Sequence, residues 1–264
     1  MIIDTHSHLS FKAYDNDRNE VIKSLKQEGF VCIDVGTKYE TSKRAVELAE
    51  KYEGIYAAIG MHPIHIEKDG EEFDKNKYLE LAKSKKVVAV GEIGLDYYYK
   101  PKTKTRLEKF KEKQKQVFLQ QLDLARELDL PIIVHCRMAH KDTIEILEMQ
   151  NIKGSIHCFT GSWEEAKKYL EFGFYLGING IIDKLDLTEV IKNCPLDKIL
   201  VETDCPYLTP LTEGKNKRNE PIFIKHVIQK ISDIKGISFQ EVADATTQNA
   251  KILFKILNQP EINI

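Results

Sequence analysis

Four histidines and two carboxylates stand at comparable places along this chain, each at or just past the end of a short apolar run. They are His6, His8, Glu92, His135, His157 and Asp204. Imidazole nitrogens and carboxylate oxygens without thiolate are a donor set for divalent ions such as Zn, Mn or Mg. His6 and His8, two apart in an extended chain, point to the same side and can share one ion. Six donors exceed what one catalytic ion with an open position uses. They suit two ions sharing a carboxylate, and Glu92, held between two glycines in Gly91-Glu92-Ile93-Gly94, is the expected bridge. Ions about 3.5–4 Å apart make a hydroxide at neutral pH and stabilise both oxygens of an in-line displacement, so phosphodiester hydrolysis is the natural match. A lone histidine beside an apolar run has a plainer reading as a hydrogen-bonded core residue. Agreement at five separate run ends does not.

The elements that must position these groups alternate along the chain. Apolar runs fall at 2–4, 31–35, 55–59, 87–91, 132–134, 154–156, 174–178 and 199–201. Between them lie helical patterns at 17–27, 41–52, 73–84, 106–128, 140–148, 163–172 and 187–193, and two more follow at 221–234 and 239–257. Eight such pairs predict an α/β fold, one TIM-type (β/α)8 barrel over residues 1–264. The rival, an open doubly wound sheet, lacks the GxGxxG that its first turn needs. In a barrel, reactive groups gather at the C-terminal ends of the strands, and the six donors sit there. Glu92 is expected where the fourth strand stops.

Composition narrows the partners. A net charge of −2 gives no broad field for nucleic acid, so phosphate binding must rest on local groups. No apolar run approaches the roughly 20 residues of a membrane span, and the N-terminus carries no export signal, so a cytoplasmic protein is expected. Five cysteines without a CxxC pair argue against a disulfide framework. Cys136 and Cys158 each follow a candidate ligand and are expected to face away from it.

Taken in order, several strings resemble one family. They are Asp4-Thr5-His6-Ser7-His8-Leu9, Gly91-Glu92-Ile93-Gly94-Leu95-Asp96-Tyr97, His135-Cys136-Arg137 and His157-Cys158-Phe159-Thr160-Gly161, followed by Glu202-Thr203-Asp204-Cys205-Pro206-Tyr207-Leu208 and Lys217-Arg218-Asn219-Glu220-Pro221. The chain is similar throughout to the TatD family of metal-dependent deoxyribonucleases, within the amidohydrolase-like barrels. The resemblance implies that His6, His8, Glu92 and Asp204 hold one ion, and that Glu92, His135 and His157 hold the other. It also implies that Asp204 orients or deprotonates the attacking water. The family's His-Pro-His is here Gly60-Met61-His62-Pro63-Ile64-His65. His62 keeps the position expected to face the substrate phosphate, while His65 is displaced by one residue. Met138 stands where the family has an acidic residue.

The substrate this implies is DNA, as single strands or chain ends. Arg137, two residues past His135, can clamp a phosphate in bidentate fashion. Tyr97, Tyr98, Tyr99 and Tyr207 can stack on unpaired bases, whereas Phe159 and Trp163 are expected to pack the barrel rim. The basic stretch 100–115 reads first as a solvated helix face. Lys215, Lys217 and Arg218 follow the eighth strand, where barrels often bind phosphate; Arg218 can instead pin the chain entering the next helix. A different enzyme, an amidohydrolase or lactonase using the same ions, is the alternative, though many such relatives bridge through a modified lysine rather than a glutamate. A non-catalytic metal-dependent binder is a third reading, weakened by the intact ligand set.

Overall fold

The computed structural model describes residues 1–68, 72–214 and 216–256. Lys215 and Leu257, which the sequence reading had included, lie outside them. Eight parallel strands form one sheet in sequence order: β1 (Ile2–Ser7), β2 (Phe30–Val35), β3 (Ile55–Ile59), β4 (Val87–Asp96), β5 (Ile132–Arg137), β6 (Gly154–Ile156), β7 (Tyr175–Ile178) and β8 (Ile199–Val201). The sheet closes on itself. The backbone pairs Ser7 with Cys205, Asp204 N donates to His6 O (2.8 Å) and His8 N donates to Cys205 O (2.9 Å). The barrel expected from the eight alternations is therefore the fold.

The helices are α1 (Arg18–Gln27), α2 (Tyr39–Lys51), α3 (Pro63–Lys68), α4 (Lys75–Leu81), α5 (Lys104–Leu128), α6 (His140–Glu148), α7 (Trp163–Glu171), α8 (Thr188–Asn193), α9 (Ile224–Lys235) and α10 (Phe239–Phe254). None of the described helices is long and apolar enough to cross a membrane. Period-2 alternation divides the strand residues between two clusters. Ile3, Ile33, Ala58, Val88, Ile133 and Leu200 fill the interior with Leu253 and Phe254 of α10. Cys32, Ala57, Ile59, Val90, Ile132 and Val134 face the helices. Asn249 donates to Leu196 O and Ile199 O, and Thr247 to Met1 O, so α10 sits against the N-terminal ends of β8 and β1, opposite the mouth.

Two expectations are corrected. The helix expected at 73–84 is shorter, and Asp74 starts it by accepting Asn76 N with its side chain. More consequentially, β4 does not stop at Glu92 but runs to Asp96, buried throughout. The pairing with β5 shifts register between Val90 and Ile93, so the strand irregularity spans Gly91 and Glu92. Gly94 permits the extension: at φ +138 it presses on the backbone of His135, and a Cβ there would overlap the His135 carbonyl oxygen.

Candidate metal centre and active site

Glu92 points into the mouth with its two oxygens facing different histidines. Oε2 lies 3.6 Å from His6 Nε2, whereas Oε1 lies 2.8 Å from His135 Nδ1, 3.5 Å from His62 Nε2 and 3.8 Å from His157 Nε2. Asp204 approaches from the other side of the barrel, its Oδ1 3.3 Å from His8 Nε2 and 3.8 Å from His157 Nε2. It sits past β8 in the left-handed region (φ +56), a conformation aspartate tolerates better than most residues. The six residues read from the sequence are thus gathered at one end of the barrel, and His62 joins them.

Polar neighbours on the outer ring edges orient His8, His157 and His62. His8 Nδ1 donates to Val35 O at 2.7 Å, leaving the Nε2 lone pair facing the site. His157 Nδ1 lies 2.7 Å from Glu202 Oε1, which turns its Nε2 towards the site. His62 is the reverse. Its Nδ1 accepts from Ile64 N (3.0 Å), so the proton of the neutral ring is on Nε2, aimed into the cavity. Burial, and next the neighbouring His135, push the His62 pKa down to about 3, which keeps that ring neutral.

The electrostatics call for a cation. The Nε2 atoms of His6 and His8 stand 3.3 Å apart beside two carboxylates, more lone pairs than protons to share. Burial opposes ionisation of Glu92, yet His62, His135 and His6 hold its carboxyl well below the usual range; burial opposes that of Asp204 too, and His8 and His157 lower its pKa. Burial should likewise lower His135 and His157, but Asp96 and Glu92 lift the first to about 9, and Glu202 lifts the second to about 10. Those are the fields a divalent ion answers, and the donor chemistry fits one. Three groups have atoms close enough to share an ion: His6 with His8 and Glu92, His6 with His157 and Asp204, and His62 with Glu92 and His135. The division differs from the expected one in two ways. His157 groups with His6, on which it stacks (3.5 Å between centroids), and with Asp204 rather than with Glu92 and His135, and His62 takes a place in the group of Glu92 and His135.

The remaining candidates lie further out around a cavity of about 740 Å³. His65 lines it, its ring 6.4 Å from that of His62. Arg137 is exposed at the rim, its guanidinium 3.7 Å over the Tyr98 ring. Tyr98, Tyr99 and Tyr207 are half exposed, while Tyr97 is buried and donates to Asp142 (2.8 Å). Phe159 is fully buried and Trp163 packs against the core. In the basic stretch, Lys115 pairs with Asp142 and Lys113 donates to Ile66 O. Arg218 grips Asp17 through two bonds of 2.7 Å and also reaches Glu220, so it ties the loop after β8 to the start of α1. Lys217 pairs with Glu213. Cys136 faces away from His135 towards His140 and Tyr169. Cys158 departs from the expectation: β6 has ended, its φ is +45, and it lines the cavity.

Sequence reasoning gave no role to four supporting residues. Asp96 Oδ2 sits 3.3 Å from His135 Nε2, and Glu202 backs His157 while accepting Cys158 N and Asn179 Nδ2. Gln114 and Gln121 reach in from α5 to hold the backbone of Asp96 and Met61 through paired bonds of 2.7–3.0 Å. The two-residue spacing of Glu202 and Asp204, and the seven-residue spacing of the glutamines, were the available signals.

A parallel barrel with buried histidines and carboxylates clustered at its C-terminal mouth belongs to the metal-dependent hydrolases. The family model described as TatD related DNase matches residues 3–255, and the chain belongs to that family. It is 42% identical to the metal-dependent hydrolase YabD of Bacillus subtilis (strain 168), over 97% of this chain and all of that protein. It is 33% identical to a protein of Escherichia coli (strain K12) named 3'-5' ssDNA/RNA exonuclease TatD, over 97% of this chain and 99% of that one. The crystal structure of YJJV, a TatD homolog from Escherichia coli K12, superposes with a TM-score of 0.86 at 29% identity, covering 97% and 98% of the two chains.

Proposed function

We propose that this enzyme hydrolyses DNA phosphodiester bonds, at single strands or chain ends, with two divalent ions of the Zn, Mn or Mg type. His6, His8, Glu92 and Asp204 would hold one ion, and Glu92, His135 and His157 the other. Such ions polarise the phosphate and acidify a water at neutral pH. The observation that carries the reading is the two-sided Glu92, each oxygen turned to a different imidazole. Asp204, kept ionised by His8 and His157, takes the proton of the attacking water. His62 donates from Nε2 to a non-bridging phosphate oxygen, and the Arg137 fork holds another. The P–O bond opposite the incoming oxygen breaks, and the departing alkoxide takes a proton from solvent. The name of the Escherichia coli relative supports a single-stranded, end-directed substrate.

The test combines metal analysis with digestion of end-labelled single-stranded oligonucleotides in each ion. Glu92→Ala should lower cleavage by about 10³-fold or more while circular dichroism stays that of the folded barrel. Full activity in that variant removes the mechanism. Hydrolysis of lactones or cyclic amides, with oligonucleotides left intact, would replace the substrate assignment.

A further inference from the structure

Beyond the metal-ligand cluster the cavity continues towards the loops after β1 and β2, where Lys12, Lys38 and Arg44 line it. The chain has six arginines. Arg18, Arg126 and Arg218 are each paired with a carboxylate. Arg44, Arg106 and Arg137 form no such pair among the described residues, and two of these three, Arg44 and Arg137, line the cavity from different sides. Arg44 is half-buried on α2. A guanidinium partly withdrawn from water ordinarily finds an acid. Asp15 and Glu47 border the adjoining groove, yet neither comes within ion-pair reach; Asp15 is taken by Arg18 and Glu47 lies 3.9 Å from Lys43. Lys12, exposed on the turn after β1, also has no carboxylate partner among the described residues.

Arg44 and Lys12 therefore present positive charge that no carboxylate pairs with among the described residues, in the same cavity as the centre. An anion belonging to the substrate suits it, and a planar fork with five donors suits the oxygens of a phosphate. We infer that Arg44 and Lys12 form a second phosphate subsite, which holds a phosphodiester of the same strand adjacent to the one being cut. The inference rests on the nuclease reading of the centre. It adds a length requirement: a strand with two phosphodiesters is held better than a strand with one.

Phosphorothioate-linked thymidine dimers and trimers, which resist cleavage, are competed against a fluorescein-labelled oligothymidylate on the Mn²⁺-loaded protein. The unmodified protein should bind the trimer about tenfold more tightly than the dimer, one charge-assisted contact's worth. Arg44→Gln should shrink that gap to about twofold, and Lys12→Gln should shrink it in part. For the labelled strand, the salt slope should fall by about 0.7 in Arg44→Gln, one phosphate contact on a single strand. A gap and a slope that persist in both variants overturn the subsite and leave the nuclease reading standing. If the unmodified protein binds neither oligomer, both fall together.

Discussion

At the residue scale the site is decided by which ring nitrogen carries the proton. His8 and His157 use Nδ1 outward and turn Nε2 inward, whereas His62 accepts at Nδ1 and turns an N–H inward. An imidazole of the first kind can ligate an ion; one of the second kind can donate to an anion. His62→Ala should therefore lower kcat by about 10²–10³-fold, as loss of a preorganised donor does, while the bound metal per chain stays the same. Metal analysis of that variant is the check, because a lost ion would make His62 a ligand beside Glu92 and His135. The gathering of these side chains at one mouth was legible in the sequence, since His6, His135, His157 and Asp204 each mark the end of an apolar run. Ring orientation was not legible. It depends on Val35 O of β2 and Ile64 N of α3, backbone groups that only the folded chain brings beside the rings.

Elements hold these residues more firmly than a run-and-gap reading suggests. Glu92 was expected at a strand end because glycines flank it, yet those glycines serve close packing: Gly91 lies against Ile133 and Gly94 against the His135 backbone. The strand continues, and its end at Asp96 is clamped by Gln114. Gln121, two turns further along α5, does the same for Met61, next to His62. Both glutamines are buried. They sit in a helix whose charge pattern reads as solvated, which is why their role escaped a reading by composition. Gln121→Ala would leave the N–H and C=O of Met61 buried and unpaired, at about 1–3 kcal/mol for each group left so. Urea denaturation should show a loss of about 2–4 kcal/mol. A variant as stable as the parent would mean that water or a relaxed loop takes over both bonds.

For the molecule as a whole, closure of the barrel and assembly of the centre are one event. The six ligand candidates come from the ends of β1, β5, β6 and β8 and the middle of β4, so an ion held by them links strands distant in sequence across the mouth. Without it, Glu92, Asp96, Glu202 and Asp204 confront one another with only the histidines between them. An ion that binds the folded state alone stabilises it by RT ln(1 + [L]/Kd), about 2.7 kcal/mol at a hundredfold excess over Kd. In a chain of this size that corresponds to a rise in Tm of roughly 5–10 °C. Thermal unfolding with Mn²⁺ or Zn²⁺, against the same protein in chelator, should show this gain. Glu92→Ala should lose most of it, because Glu92 is the carboxylate proposed to be shared between the ions. Gln121→Ala should unfold at a lower temperature yet keep the metal-dependent increment, since its damage lies in the loop support and not in the ligands. Equal Tm with and without metal would separate the centre from the stability of the barrel, and the coupling argued from the strand ends would then be wrong.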